Sequence, residues 1–412
     1  MGFQQGLSGL NVSARNLDVI GNNVANAQTV GFKQSVAQFA DVFAASISGG
    51  GSTQIGIGAR VMDVAQTFNQ GNVTPTNNPL DIAIVGGGFF RLSDNGSIVY
   101  SRNGQFRLDP DGVLVNTLGQ EVTGFGVDAL GNVVQGQPDR IQFDTSDIPP
   151  RATTRFDVGV NLDSRNTAPA VGPFSPTNTR TFNFSTSGTT FDTLGNPHTL
   201  TLFFVKTATA NQWNLHGTVD GGPVTDADLG AGAGNPVTLN FDTAGALTTA
   251  MPLAAALTVA SGAVTPVAFS LDLTDVTQFG STSSVNALSQ DGYTSGRLSG
   301  YNVAGDGTIV GRYSNGESRN LGQIVLTNFV NPQGLAQLGD NLWEQTADSG
   351  LPLTGVPESG SLGQLQSGAV EDSNVDLTQE LVNMIIAQRV YQANAQTIKT
   401  QDAILQTLVN IR

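Results

Sequence analysis

The 412 residues carry a formal net charge of −15 with only 12% charged side chains, together with 50 glycines and no cysteine. That length exceeds one compact domain and suits two or three, while so dilute an acidic charge disfavours nucleic-acid binding, which shows as a basic patch or stripe. Without cysteine there is no disulfide, thiolate metal site or cysteine nucleophile, and no run of about 18 apolar residues is present to span a bilayer.

The chain opens on a helical pattern. Leu7, Leu10, Ala14, Leu17, Gly21 and Val24 recur at gaps of three and four, the spacing of a heptad seam, and predict an N-terminal helix within residues 1–27. The opening Met1-Gly2-Phe3-Gln4-Gln5-Gly6 has no basic stretch leading into an apolar run, so no cleaved signal peptide is expected. Residues 28–71 read as an irregular, extended connector, broken by Gly49-Gly50-Gly51.

From residue 72 the period changes to two. Ile82, Ile84, Phe90 and Leu92 lead to Asn95-Gly96; Ile98 to Tyr100 lead to Asn103-Gly104; Phe106 and Leu108 lead to Asp111-Gly112. Such pairs supply the positive φ angles of tight hairpins, so 72–145 is expected to be an antiparallel meander. A second β-rich stretch, 146–292, is richer in Thr, Ala and Gly and is flanked by Pro149-Pro150 and Gly292. The first strand pattern then resumes over 293–372, through Ile324-Val325-Leu326 and Leu342-Trp343. The economical reading is one β domain interrupted by another at an exposed hairpin tip.

Residues 373–412 predict a closing helix, with Ser373-Asn374-Val375-Asp376 as a capping box. At ~1.5 Å per residue it makes a rod of about 55 Å. One apolar seam runs through Leu377, Leu381, Met384, Tyr391, Ala395, Ile398, Leu405 and Val409; a second runs through Val382, Ile386, Val390, Ala393, Ile404, Leu408 and Ile411. Two seams on one cylinder imply two neighbours, because a single intrachain partner would leave the second as a long exposed apolar patch.

Catalytic chemistry finds no foothold. His198 and His216 lie in strand-like stretches, and neither has an acid or nucleophile placed beside it by a motif. Asp109-Pro110-Asp111-Gly112 reads as a β-turn, lacking the further acidic ligands of a calcium loop. The expectation is no catalytic residue, no cofactor and no metal.

At this point the residues resemble a known family, the axial rod and hook proteins of the bacterial flagellum. Ser8-Gly9-Leu10 through Asn22-Asn23-Val24-Ala25-Asn26 and Thr29-Val30-Gly31-Phe32-Lys33 is similar to the family's amino-terminal motif. Ser373-Asn374-Val375-Asp376-Leu377 through Val390-Tyr391-Gln392-Ala393-Asn394 is similar to its carboxy-terminal partner. Asn78-Pro79-Leu80-Asp81, Gly88-Phe89-Phe90, Ser101-Arg102-Asn103-Gly104 and Asp109-Pro110-Asp111-Gly112 resemble its β domain. The large 146–292 stretch resembles the hook branch, since rod members are generally shorter.

The resemblance implies a mixed, mostly β fold in which the terminal helices form a coiled-coil-like inner tube domain, with one β domain outside them and the inserted one outermost. It implies a structural subunit that polymerises with itself into a hollow, flexible helical tube passing motor torque from rod to filament. Implied partners are the rod protein, the hook cap, the hook–filament junction protein, the hook-length control protein and the flagellar type III export apparatus, with no nucleic acid and no membrane insertion. The implied location is the hook and basal body, outside the cell after export. Two alternatives stay open: a distal rod subunit of the same family and a secreted β-rich adhesin or carbohydrate-binding module.

Overall fold

A computed structural model describes residues 2–42, 56–128 and 131–410, the side chains of 2 and 408–410 excepted. The chain divides into two compact units. One comprises Met1–Asp144, Gly300–Gly311 and Ser318–Arg412, the other Thr145–Ser299 and Arg312–Glu317. No described helix is long and apolar enough to cross a membrane.

In the first unit, α1 (Gly2–Ala25) and α2 (Leu377–Asn410) are the two long helices. The start of α2 corrects the expected capping box. Its cap is Asp376, whose Oδ1 accepts the amides of Thr378 (2.9 Å) and Gln379 (3.1 Å). Ser373 lies outside the helix because Asn374 is held in an extended segment: its side chain accepts from Gln34 N at 2.7 Å and donates to the carbonyls of Thr67 and Asn69. The resulting 34-residue helix is about 51 Å long.

The segment read as an irregular connector contains an antiparallel strand pair, β1 (Ser35–Val42) and β2 (Gly58–Gln66), in register from Ser35↔Gln66 to Val42↔Gly58. Gly49-Gly50-Gly51 lies outside the described residues. The ladder is broken at Gln38/Phe39, where Met62 is the extra residue of a bulge. Val36, Phe39, Met62 and Val64 are exposed apolar side chains on this pair.

The β body of the first unit runs Ser318–Ile324, Glu121–Phe125, Phe89–Asp94, Ser97–Ser101, Leu342–Glu344, Ala336–Gly339 across its sheet. Asn95-Gly96 forms the expected two-residue hairpin, with φ of 50° and 94° between Asp94 and Ser97. Asn103-Gly104 does not turn a hairpin: a Cβ on Gly104 would lie 1.8 Å from the Ile82 carbonyl oxygen, so glycine there permits two backbones to touch. Asp109 closes the next turn, its Oδ1 accepting the amides of Asp111 (3.0 Å) and Val113 (2.7 Å). Phe68, Phe89, Tyr100, Phe329 and Trp343 meet edge to face at 4.8 to 6.0 Å and fill this body.

The second unit packs two sheets over one core. Phe184–Phe191, Pro197–Lys206, Gln212–Val219 and Val237–Asn240 form an antiparallel meander. The other sheet centres on Arg155–Asp163, parallel to Val267–Asp272 and antiparallel to Ser284–Gln290. Phe156, Leu202, Phe204, Trp213, Leu239 and Leu271 from both sheets are buried together. The strand pattern of 146–292 does not show the chain's second visit at 312–317, which is held by Ser314 N on Arg297 O and Asn315 Nδ2 on Thr294 O.

Candidate functional site

The two terminal helices run antiparallel. Near the start of α1, a Cβ on Gly6 would lie 3.0 Å from Ile398 Cγ1 and one on Gly9 2.6 Å from Asn394 Oδ1. Near its end, Asn23 Nδ2 donates to Ser35 O (2.8 Å) and reaches Glu380 Oε2 (3.4 Å), while Gln34 Nε2 donates to Glu380 Oε1 (2.8 Å). The buried row of α1 is Gly6, Ser13, Ile20 and Asn23; on α2 it is Glu380 and Ala387. Small residues bring the helices close and amide and carboxylate groups tie them.

This row lies beside the expected one. Within the chain, Leu10, Ala14, Leu17, Val24, Met384, Ala395 and Ile398 are only partly covered, and Leu7, Leu377, Leu381, Tyr391 and Leu405 are exposed. The second stripe is exposed too: Val382, Ile386, Val390, Ala393 and Ile404. The side chains of Leu408 and Val409, and Ile411 altogether, lie outside the described residues. Ile385, absent from both expected seams, is 51% exposed. Apart from Ile20 and Ile398, the large aliphatics therefore flank the intrachain contact instead of forming it.

The roots of both helices are fastened by a buried ion cluster that sequence reading did not anticipate. Glu371 Oε1 meets Lys33 Nζ at 2.6 Å and Glu371 Oε2 meets Arg102 Nη1 at 3.2 Å, with all three side chains buried. Lys33 also donates to Asn69 O, Gly71 N to Glu371 Oε1, and Arg102 Nη2 to Gly86 O. The guanidinium lies 5.4 Å from the centre of the Phe89 ring. Burial pushes Lys33 and Arg102 below their ordinary values, opposed in both by the Glu371 carboxylate. Two cations on one carboxylate join the end of the N-terminal segment, the β body and the strand before α2. The Lys33 and Arg102 motifs were visible in sequence; the carboxylate 338 residues from Lys33 had no local signal.

The histidines carry no nucleophilic relay. His198 sits between two carboxylates, Nδ1 at 2.7 Å from Asp220 and Nε2 at 3.2 Å from Asp192, while Ser261 Oγ donates to Asp192 at 2.5 Å. The hydroxyl thus meets the acid and not the imidazole, the reverse of what a general base requires. Burial opposes the His198 charge but bonds to Asp220 and Asp192 raise its pKa overall. His216 stacks on Phe174 at 4.1 Å, and burial lowers its pKa.

Comparison with known proteins places these features. Four family models match in chain order: flagella basal body rod protein over 3–33, flagellar hook protein FlgE/F/G D1 domain over 83–163, flagellar basal body protein FlaE D2 domain over 161–293, and flagellar basal body rod FlgEFG protein C-terminal over 366–411. The flagellar hook protein FlgE of Escherichia coli (strain K12) is 45% identical over 419 residues, covering 100% of both chains. That of Salmonella typhimurium is 43% identical with the same coverage, and that of Borreliella burgdorferi 32% identical over 99% of this chain and 98% of its own. The crystal structure of Helicobacter pylori flagellar hook protein FlgE2 shares the fold with a TM-score of 0.52, at 15% identity, over 72% of this chain and all of that one. With full-length identity at this level and both helical ends and the intervening β domains matched in order, the chain belongs to the flagellar hook protein FlgE family.

Proposed function

We propose that the chain is the structural, non-enzymatic subunit of the bacterial flagellar hook, polymerising with itself through its terminal helices into a hollow, flexible tube that carries torque from rod to filament. The observation that carries this reading is the exposed apolar surface of α2. Leu381 and Leu405 on one stripe and Ile386 and Val390 on the other are each about half exposed, although α2 already has its intrachain partner. Burying such side chains contributes ~1.5–3 kcal/mol each when complete, against an association cost of ~4–15 kcal/mol. One neighbour is marginal and several suffice, as a polymer supplies.

In this reading residues 1–27 and 373–412 form a coiled-coil-like inner wall. The β body of 72–145 and 293–372 lies outside it, and the 146–292 domain, inserted into that body, is outermost. Rod, cap, junction and length-control proteins would meet the polymer along its assembly path, after delivery through the flagellar type III export channel. The test is electron microscopy of purified protein at high concentration or salt, with Leu381→Asp and Leu405→Asp beside the unmodified chain. Tubes from the unmodified chain and folded monomers from the variants are expected. Tubes of normal yield from both variants would overturn the helix assignment, and glycan-binding monomers without tubes would favour an adhesin.

A further inference from the structure

α1, α2 and β1 enclose a groove of about 470 Å³. Val12 and Asn16 of α1 line its floor, Val36 and Phe39 of β1 one wall, and Ile386 and Val390 of α2 the other. The four wall residues are 42 to 54% exposed, so the groove is open and its walls are unpaired. Three of its polar side chains are engaged: Ser13 Oγ donates to Gly9 O, Asn23 bonds Ser35, and the Glu380 carboxylate accepts from Gln34 and lies near Asn23. The exposed walls are apolar, so they suit an uncharged, apolar occupant, whereas a charged one would be desolvated against them at a cost.

The same chain carries a matching ridge. Residues 2–14 contain no charged side chain, and Phe3 and Leu7, four apart and so on one helix face, are 46% and 45% exposed. Ridge and groove floor belong to the same continuous helix, so the ridge cannot fold back into its own groove. Only another molecule can bring them together. We propose that the α1–α2–β1 groove seats the first turns of α1 from a second copy of this chain. The contact is heterologous: each copy that donates a ridge still offers a groove, so growth stays open-ended, as a tubular polymer requires. This inference rests on the self-assembly reading above and gives one of its contacts a donor and an acceptor.

The absence of cysteine makes the test clean. Leu7→Cys with Phe39→Cys, and independently Phe3→Cys with Val36→Cys, are assembled, oxidised and run on non-reducing gels. Either double variant is expected to give a ladder of covalent oligomers, and a mixture of the corresponding single variants covalent dimers. Phe39→Asp in the otherwise unmodified chain is expected to reduce polymer yield at least tenfold with both β units still folded. Polymers in which neither pair cross-links, or normal assembly of Phe39→Asp, would overturn the groove assignment while leaving self-assembly standing. Failure of the unmodified chain to polymerise would instead defeat the reading on which it rests.

Discussion

The core of the second unit and the terminal helices of the first use the same aliphatic residues in opposite ways. In the core, Phe156, Leu202, Phe204, Trp213 and Leu271 are at most 1% exposed, each covered by its own chain. On α2, Leu381, Ile385, Ile386, Val390 and Leu405 are 44 to 54% exposed, while Glu380, Ala387, Asn394 and Ile398 face α1. A domain that only had to fold would place its large side chains in the intrachain seam, where each contributes most. Here small and hydrogen-bonding residues, with Ile20 and Ile398, hold the pair, and most of the aliphatics remain on its surface. The core serves the monomer; in the proposed reading, the apolar area left on the helices serves contacts with other molecules.

The sharpest way to break this contrast is to cut the helix roots from the β body. Glu371→Ala leaves Lys33 and Arg102 buried without their carboxylate, a loss of about 3–5 kcal/mol. The two tryptophans report separately, Trp343 from the first unit and Trp213 from the second. With Trp213 replaced by Phe, the Trp343 transition in urea should move to lower denaturant; with Trp343 replaced instead, the Trp213 transition should stay. Equal movement of both would mean that the ion cluster does not belong to one unit alone.

Next in size, Leu202→Ala should destabilise the second unit by about 2–5 kcal/mol. Ile386→Ala should change monomer stability by no more than about 0.5 kcal/mol, yet sharply lower polymer yield. A large monomer effect from Ile386→Ala would show that the helix surface is already used within the chain, and would end the comparison.

Within the second unit, His198 makes stability depend on pH. Its folded pKa is raised by Asp220 and Asp192 against burial, so its contribution is fully present below the unfolded value of about 6.5 and fades as pH rises through the higher folded value. Asp192 and Asp220 are both lowered, by bonds from Ser261 and Asn196 in the first case and His198 and Thr199 in the second, against burial. Their contributions are present above the ordinary carboxylate range and fade as pH falls through the lowered values. His198→Gln should cost about 1–3 kcal/mol at pH 6 and flatten the alkaline side of the profile followed by Trp213. An unchanged alkaline slope would assign that slope to another group.

Much of this was legible in sequence because it is periodic. The helices show in recurrent Leu and Val, and the Asn95-Gly96 hairpin in a turn pair whose φ values few other residues accept. What stayed hidden has physical causes. A hydrophobic-period reading weights Leu7, Leu10 and Leu17, whereas the row that meets α2 contains Gly6, Gly9 and Ser13, whose value is closeness and hydrogen bonding. β1 and β2 looked irregular beside the Gly-rich stretch between them, and Val36, Phe39 and Met62 lie on exposed positions, so hydrophobicity does not mark the covered side. The Lys33–Glu371–Arg102 cluster joins distant segments, and no local pattern encodes such a meeting. His198 gave no hint of two carboxylates, since Asp220 arrives from beyond the next strand.

The smallest expected effect probes the close helix contact itself. A Cβ on Gly21 meets nothing within 4 Å, whereas one on Gly9 would lie 2.6 Å from Asn394 Oδ1. Both glycines are inside α1, where alanine gains ~0.8–1 kcal/mol in helix propensity. Gly21→Ala should therefore stabilise the isolated monomer by roughly 0.5–1 kcal/mol. At Gly9 the same gain is opposed, because the Asn394 amide must move out of its packed position; Gly9→Ala should be neutral or destabilising. Helicity at 222 nm during thermal unfolding distinguishes the two. If Gly9→Ala stabilises as much as Gly21→Ala, the small-residue row is not what holds α1 to α2, and the large aliphatics beside it must contribute to the intrachain seam after all.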